Sequence, residues 1–346
     1  MELNRKDRVF HIAVFIVCLL LVALIYEFLG SSTSFKPLFS FQYHPSQFST
    51  TCNVTNYKDA LEATLSEASI GNKMVIIAMV NKAYVEGDKP MLDLFLDGFW
   101  HGEDTRELVN HLLLVATDDT SYERCKFLRL HCYRLQMDDG MDSNGEKLYM
   151  SEDFIKMMWR RTLFLGDVLK RGYSFIFTDA DVMWLRNPFP MLRKNESIDL
   201  QISTDRFNGN EWSAANPINT GFYMIRSNKK TISLFDAWYA RKNNSKGLKE
   251  QDVLINMLYE GVFKKLGLRV RFLDTNNFSG FCQNSKDFKA VRTIHANCCL
   301  TINAKVVDLM AVIHDWERFK TNETSTTGWS SHVACQNSWK SSNGHS

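Results

Sequence analysis

The sequence has no strong charge imbalance and no run of like charge. Its 346 residues carry 41 lysine or arginine and 39 aspartate or glutamate side chains, which gives a formal net charge of +2. This balance does not indicate a polyanionic partner, and the lack of a charged block argues against a nucleic-acid-binding tail. No internal repeat or low-complexity segment is visible, so we treat residues 65–325 as one globular domain, followed by a C-terminal tail over residues 326–346.

The eight cysteines include no C-x-x-C pair, which is the spacing typical of zinc sites. Cys18 lies in a hydrophobic run near the N-terminus, so seven cysteines remain outside that run. Because seven is odd, at least one of them is a free thiol or pairs with another chain. Cys298 and Cys299 are neighbours and are not expected to bond to each other. The sequence leaves the other pairings open.

Charge is also scarce between residues 9 and 29, where one histidine and one glutamate interrupt an apolar run. About 20 apolar residues cross a bilayer. Three basic residues precede the run and the next one after it is Lys36, an asymmetry that keeps the N-terminus in the cytosol. We therefore predict a cytosolic tail over residues 1–8, a transmembrane signal anchor over 9–29 and a stem over 30–64. A cleaved signal peptide is the alternative, because the strictly apolar core is short.

Five Asn-X-Ser/Thr triplets agree with a lumenal location for the rest of the chain. They begin at Asn53, Asn195, Asn243, Asn277 and Asn322.

Short apolar runs of strand length alternate with helical patterns along the chain. Residues 74–80, 111–116, 173–178 and 200–204 are examples of the apolar runs. Residues 151–170 form the clearest helical pattern, and residues 250–259 and about 306–319 form two others. Such alternation predicts an α/β fold with a mostly parallel central sheet and helices on both faces. In sheets of this kind, ligands bind beyond the carboxyl ends of the strands.

Asp179 and Asp181 directly follow the apolar run at 173–178. Two carboxylates this close repel each other, which raises one pKa unless a cation lies between them. Only Ala180 separates them, so both can face one side and share a hard divalent ion. Mn²⁺ or Mg²⁺ bound there suits a diphosphate, because the ion neutralises charge on a leaving group. The alternative is a turn whose aspartates cap the next element.

A strand followed by Asp-X-Asp also opens the phosphatases of the haloacid dehalogenase type. Those enzymes want Thr or Val two residues past the second aspartate, where this chain has Met183. They also need an acidic pair further downstream, whereas the pairs at 118–119 and 138–139 lie upstream. This interpretation is therefore disfavoured.

Five motifs in a fixed order resemble the plant nucleotide-diphospho-sugar transferase domain of glycosyltransferase family 77. They are FIFTDADVMWLRNPF (175–189), NTGFYMIRSN (219–228), EQDVLINML (250–258), RFLDTNNFSGFCQ (271–283) and HANCC (295–299). The resemblance implies a type A glycosyltransferase fold and a Mn²⁺-dependent Golgi enzyme. This agrees with the predicted anchor, which makes the chain a single-pass type II membrane protein with its catalytic domain in the lumen. Such an enzyme transfers a sugar, with retention, from a nucleotide-diphospho-sugar donor (a UDP-sugar above all) to a cell-wall glycan or glycoprotein.

The resemblance also implies roles for the metal site. Asp181 would be a direct metal ligand, and Asp179 would bind the ribose or reach the metal through water. His295 would be the third protein ligand, since neutral imidazole suits Mn²⁺. A buried core histidine is the alternative for His295.

Further residues are candidates for binding the donor. Asn81 follows the first strand and could read a uracil edge with its amide, or it could be a turn residue. Lys156 and Arg160 are four residues apart on one helical face, where they could hold diphosphate oxygens or the donor sugar. A solvated basic face is the alternative for this pair.

Gln251 and Asp252 begin a helix and match a Gln-Asp pair of the family, which makes both catalytic candidates. Asp252 would stabilise an oxocarbenium-like transition state or, less favourably, act as a nucleophile; its alternative is a carboxylate that serves the helix dipole. Thr220 stands where family members usually have glycine, which puts the local acceptor pocket in doubt. A non-catalytic partner that binds a sugar nucleotide and stabilises an active homologue, as a homo- or hetero-oligomer, is therefore the second functional hypothesis.

Overall fold

The computed structural model describes residues 57–137, 145–147, 149–192, 197–321 and 328–342. The chain from Asn56 onward forms one compact unit. The predicted cytosolic tail, the signal anchor and most of the stem lie outside the described residues. Within the described ranges, no helix is both long enough and apolar enough to cross a membrane.

The central sheet contains seven strands. The apolar runs predicted as strands form its middle, because their side chains are buried on both faces. The strands are β1 (Met74–Val80), β2 (Leu112–Ala116), β3 (His131–Arg134), β4 (Ser174–Thr178), β6 (Leu200–Thr204), β7 (Ile218–Ile225) and β8 (Val270–Phe272). Their order across the sheet is β3-β2-β1-β4-β7-β6-β8.

The sheet is mixed, with parallel pairing between β3 and β2, β2 and β1, β1 and β4, and β6 and β8. Strand β7 runs antiparallel to both of its neighbours, β4 and β6. The prediction of a mostly parallel sheet is therefore confirmed only outside β7. Because β7 is antiparallel, its amino-terminal half lies beside the carboxyl end of β4, and Asp179 N donates to Gly221 O at 2.7 Å.

A second, three-stranded sheet that the sequence patterns did not predict lies at the same end of β4. It consists of β5 (Val182–Trp184), β9 (Phe278–Gly280) and β10 (Thr293–His295), in the order β5-β10-β9. Strand β5 begins immediately after Asp181 and pairs antiparallel with β10, with Val182 opposite His295. This pairing brings two segments more than 100 residues apart in sequence into contact.

Helices cover both faces of the central sheet, as predicted. Ile76 and Ala78 of β1 pack into one apolar core, and Val75 and Ile77, whose side chains alternate with them, pack into the other. The helices are α1 (Ala60–Ala68), α2 (Lys82–Val85), α3 (Met91–His101), α4 (Asp119–Phe127), α5 (Glu152–Lys170), α6 (Lys229–Ala240), α7 (Glu250–Tyr259), α8 (Val262–Lys265), α9 (Ile302–Lys320) and α10 (Val333–Ser342), with 3₁₀ turns at Arg106–His111 and Lys242–Asn244.

Side-chain caps set the starts of the two longest helices. The Ser151 hydroxyl accepts from Phe154 N at 3.2 Å, so α5 begins where the sequence predicted. The Thr301 hydroxyl accepts from Ala304 N at 3.3 Å, so α9 begins at Ile302, four residues before the first residue of the predicted helix. Helix α10 lies within residues 326–346, which were predicted to be a C-terminal tail.

Three disulfides join the described cysteines. The bonded pairs are Cys125–Cys132, Cys282–Cys298 and Cys299–Cys335. The adjacent cysteines at 298 and 299 bond to different partners, as expected. Cys52 lies outside the described residues.

Candidate active site

A cavity of about 300 Å³ opens beyond the carboxyl ends of β1 and β4. Its wall includes Asn81 after β1, Asp179 and Asp181 after β4, and His295 at the end of β10. The location agrees with the rule that α/β sheets bind ligands at this edge.

Asp179, Asp181 and His295 converge in this cavity. One oxygen or nitrogen atom from each lies within 4.8 Å of the others, and this is the group of possible metal ligands found among the described residues. His295 Nε2 is 3.2 Å from Asp181 Oδ1 and 3.9 Å from Asp179 Oδ2. The pairing of β5 with β10 produces this proximity, and Ala296 N extends it by donating to Asp181 O at 3.0 Å.

The protein's own cations also neutralise the two carboxylates. Arg161 Nη1 lies 2.9 Å from Asp179 Oδ1, and Lys305 Nζ lies 2.8 Å from Asp181 Oδ2. Neither residue was predicted from the sequence. Arg161 is next to the predicted Arg160, and Lys305 belongs to the first turn of α9, which the predicted helix left out. Their charges explain how one cavity keeps two neighbouring aspartates.

Burial and these charges act in opposite directions on the site. Burial alone favours protonated Asp181, but Lys305 and His295 outweigh it and hold the pKa of Asp181 well below its usual range. Burial, together with the charge of Asp181, raises the pKa of Asp179 although Arg161 opposes the shift. Burial would lower the pKa of His295, but the carboxylate of Asp181 raises it. A cation that uses His295 as a ligand requires the neutral form of its imidazole.

A buried network links the aspartates to the start of α7. Arg161 Nη2 lies 2.6 Å from Glu250 Oε1, which also accepts from the Thr220 hydroxyl at 2.9 Å. Thr220 N donates to Gln251 Oε1 at 3.0 Å. The side chain that departs from the family pattern at position 220 is thus hydrogen-bonded within the site. Glu250 was missed by sequence reasoning, although it directly precedes the predicted Gln251.

Two of the remaining predicted residues lie in the cavity wall, Asn81 and Gln251. Asn81 Nδ2 donates to Gly145 O at 3.1 Å. Its Oδ1 is buried and has no hydrogen-bond partner among the described residues. A ligand with a donor group could therefore satisfy this oxygen.

The structure does not bring Lys156, Arg160 or Asp252 to the cavity wall. Lys156 pairs with Glu152 at 2.8 Å, and Arg160 Nε donates to Gln136 O at 2.9 Å. Successive helical residues point about 100° apart, so the residues that follow each of them, at 157 and 161, face the cavity instead. Asp252 is half-buried one residue past Gln251, and burial raises its pKa.

Three further polar residues form part of the wall without having been predicted. Asp205 Oδ1 accepts from Asn219 Nδ2 at 2.9 Å and from Asn297 Nδ2 at 2.8 Å. Asp205 follows β6 directly, and that position was the signal that could have identified it. Asp118 is the second residue after β2, but it caps α4 by accepting from Ser121 N at 2.8 Å.

A model of the nucleotide-diphospho-sugar transferase family matches residues 107–309, which is more than half of the chain. The matched span includes both aspartates and His295. The chain belongs to this family. The resemblance drawn from the five sequence motifs is thereby confirmed.

Two sequence relatives and one solved structure show how far the similarity extends. The Arabidopsis thaliana protein At1g28695, described as uncharacterized, is 54% identical over 307 residues, which cover 87% of this chain and 91% of the other. Beta-arabinofuranosyltransferase RAY1 of the same plant is 26% identical over 63% of this chain and 41% of its own length. The apo crystal structure of mouse xyloside xylosyltransferase 1 is 14% identical, with a TM-score of 0.41 over 66% of this chain and 99% of the other.

Proposed function

We propose that this protein is a metal-dependent glycosyltransferase of the type A fold that moves a sugar from a UDP-sugar to a glycan or glycoprotein acceptor. The observation that carries the proposal is the convergence of Asp179, Asp181 and His295 in one cavity of a chain from this family. The named relatives include arabinosyl- and galactosyltransferases, so pentose and hexose donors are both candidates.

The donor atoms at this site fit Mn²⁺ or Mg²⁺. Two carboxylates and one imidazole are ligands that Mn²⁺ accepts, whereas Mg²⁺ relies more on the oxygens. Asp181 Oδ1 is buried and accepts no well-aligned hydrogen bond in the described part of the chain, although His295 Nε2 is near. When bound, the ion would neutralise charge on the diphosphate leaving group.

Side chains of this protein would hold the rest of the donor. Lys305 projects from the first turn of α9 and forms an ion pair with Asp181. Once a metal neutralises that carboxylate, the Lys305 ammonium could pair with a phosphate oxygen instead. Asn81 presents an unpaired amide oxygen that suits a donor group on a base.

Gln251 replaces Asp252 as the residue that we place beside the sugar. It lines the cavity, and its Oε1 is fixed by Thr220 N. The side chain of Glu250, which is only 2% exposed, forms an ion pair with Arg161 next to Gln251. An oriented amide oxygen can stabilise positive charge that develops at the anomeric carbon, as retaining transfer requires.

We also propose that the protein resides in the Golgi membrane as a single-pass type II protein, anchored through residues 9–29. The apolar N-terminal run and the sequons support this location, and Asn243 is exposed to solvent. Microscopy of a tagged full-length chain, compared with one that lacks residues 1–29, tests it. Lumenal retention of the truncated chain would argue against a membrane anchor.

The test of the enzymatic proposal is UDP-sugar hydrolysis with Mn²⁺ and with EDTA. Asp181→Ala should reduce hydrolysis at least about a hundredfold, because it removes a metal ligand at the leaving group. Asp236→Ala is the matched control, since Asp236 is 55% exposed and pairs with Lys170 away from the cavity. Equal hydrolysis with and without metal would reject the metal role.

The second candidate is a non-catalytic partner that binds sugar nucleotides. The observation that favours it is that Arg161 and Lys305 already neutralise the aspartate pair without a metal. In the same assay this candidate predicts calorimetric UDP binding that is equal in EDTA and Mn²⁺, with no turnover of any UDP-sugar.

A further inference from the structure

Two aromatic side chains stand at the rim of the cavity and take no part in the metal, phosphate or base contacts described above. Tyr149 is 44% exposed and Trp339 is 42% exposed, and both line the cavity. Their ring centroids lie 6.4 Å apart in an edge arrangement. We call Tyr149 and Trp339 the aromatic rim.

Polar contacts hold both rings in the orientation they adopt. Trp339 Nε1 donates to Cys298 O at 2.8 Å. The Tyr149 hydroxyl accepts from Lys249 Nζ at 3.0 Å, and Phe154 packs against the Tyr149 ring with centroids 5.5 Å apart. The rim is therefore preorganised, which lowers the entropy lost when a ligand binds.

The helix that carries Trp339 is tied to the loop after His295. The disulfide between Cys299 and Cys335 joins α10 to that loop, and Leu300 N donates to the Ser338 hydroxyl at 3.1 Å. A helix from the far end of the chain thus completes the wall of the cavity.

We propose that the aromatic rim binds the acceptor saccharide by stacking against a sugar ring, an inference that rests on the proposed glycosyltransferase function. A sugar has an apolar face for an aromatic ring and hydroxyls at its edge, and polar groups surround the rim: Glu146, Lys147 and Lys249. No more than one ring face and a few charged side chains are needed for such a site.

The contacts of the rim place it with the acceptor rather than the nucleobase. Lys249, which donates to the Tyr149 hydroxyl, lies two residues before Gln251, the residue placed beside the donor sugar. Trp339 bonds to the loop that follows His295.

The test is saturation-transfer NMR with xylotetraose, arabinotetraose and galactotetraose, in the presence of UDP and Mn²⁺. At least one of these oligosaccharides should bind the wild type. Trp339→Ala should weaken that binding roughly tenfold or more, as truncation of an aromatic anchor does. Trp339→Phe should restore most of it, because it returns an aromatic face, although the ring is smaller and the bond to Cys298 O is lost.

Trp100→Ala is the matched control, because Trp100 is 52% exposed but lies against Arg106 outside the cavity wall. It should leave oligosaccharide binding unchanged. If Trp339→Ala does not fold, Tyr149→Ala removes the other half of the rim and should give the same loss.

UDP–Mn²⁺ affinity, measured in parallel by calorimetry, separates the possible failures. The rim inference is wrong if none of the oligosaccharides binds the wild type, or if the alanine variants bind them as well as the wild type does. It is also wrong if UDP–Mn²⁺ affinity falls as much as oligosaccharide affinity, since the rim would then serve the nucleotide. Absence of UDP–Mn²⁺ binding to the wild type would overturn the proposed function and this inference with it.

Discussion

At the residue scale, the aspartate pair is maintained by side chains from three distant segments. Arg161 comes from α5, His295 from β10 and Lys305 from α9. Attraction between opposite charges is stronger in a partly buried cavity than in water, so these contacts offset the repulsion between the carboxylates. The negative charge of Asp181 is already compensated by Lys305. A metal ion that enters the site would therefore compete with Lys305 for Asp181.

Gly221 is the small residue that this arrangement requires. A Cβ at Gly221 would overlap His295 Cε1 and lie 2.7 Å from Asp179 Oδ2. We expect Gly221→Ala to displace both side chains and to weaken Mn²⁺ binding about tenfold or more, with a stability cost of about 1–3 kcal/mol from overpacking. Manganese titration followed by calorimetry, together with urea unfolding, measures the two effects.

Gly166→Ala is the control for that substitution. The Cβ would meet its nearest neighbour, Phe235 Cβ, at 3.4 Å, and alanine favours the helix that contains it. Its manganese affinity should equal that of the wild type. A Gly221→Ala protein with wild-type affinity would show that the two side chains can move without loss of the site.

At the element scale, local sequence signals predicted most of the central sheet and the long helices. Strands β1 and β6 and helix α7 have the predicted bounds, because their apolar patterns are bounded by polar or turn residues. The strands β5, β9 and β10 have three residues each, which is too short for a periodic pattern. Pairing with strands that are distant in sequence stabilises them, and a short stretch of sequence carries no information about such pairing.

The C-terminal helix is an element whose position depends on a covalent bond. Replacing Cys299 and Cys335 together by serine should lower the free energy of unfolding by about 2–4 kcal/mol, because the bond closes a loop over a sequence separation of 36 residues. Urea unfolding of the variant, compared with the wild type under non-reducing conditions, gives this difference.

The disulfide Cys125–Cys132 provides the comparison, since it spans a separation of only seven residues. The entropic cost of closing a loop grows with its length, so replacing this pair by serine should cost less. The reverse order would mean that packing around the pairs, and not loop closure, determines their contributions.

At the scale of the whole molecule, the chain closes its cavity with its last described segment. His332 precedes α10, stacks on Phe281 with ring centroids 3.6 Å apart, and lies 3.0 Å from Asn284 Oδ1. The same segment is held to α9, where Asp308 accepts from Cys335 N at 2.7 Å. These contacts connect the end of the chain to the wall of the site.

The packing of His332 predicts a pH dependence of stability. Burial lowers the pKa of His332, so below pH about 6.5 the unfolded state binds a proton that the folded state excludes. The contribution of this residue to stability is therefore complete at pH 8 and decreases on acidification through the unfolded-state pKa. The melting temperature should fall more steeply between pH 8 and pH 5 for the wild type than for His332→Gln, whose side chain does not titrate.

A parallel pH profile for the two proteins would contradict this linkage. It would place the pH dependence on other groups, such as the carboxylates of the cavity.

The sequence by itself determined the α/β class, the strand that ends at the aspartate pair, and the motifs that identify the family. These follow from local periodicity and from residue types at fixed spacing, and both are visible in the linear sequence. It also predicted the three candidate metal ligands. The two aspartates were identified by their position after a strand, whereas His295 was identified only by the family resemblance.

Only the tertiary structure decided which neighbouring side chains face the cavity. A rotation of about 100° per residue separates Arg161 from Arg160, and α7 presents Gln251 rather than Asp252. The antiparallel course of β7, the disulfide pairing and the placement of Trp339 depend on contacts between residues far apart in the chain. Such contacts are decided by packing and charge across the whole fold, and no local pattern encodes them.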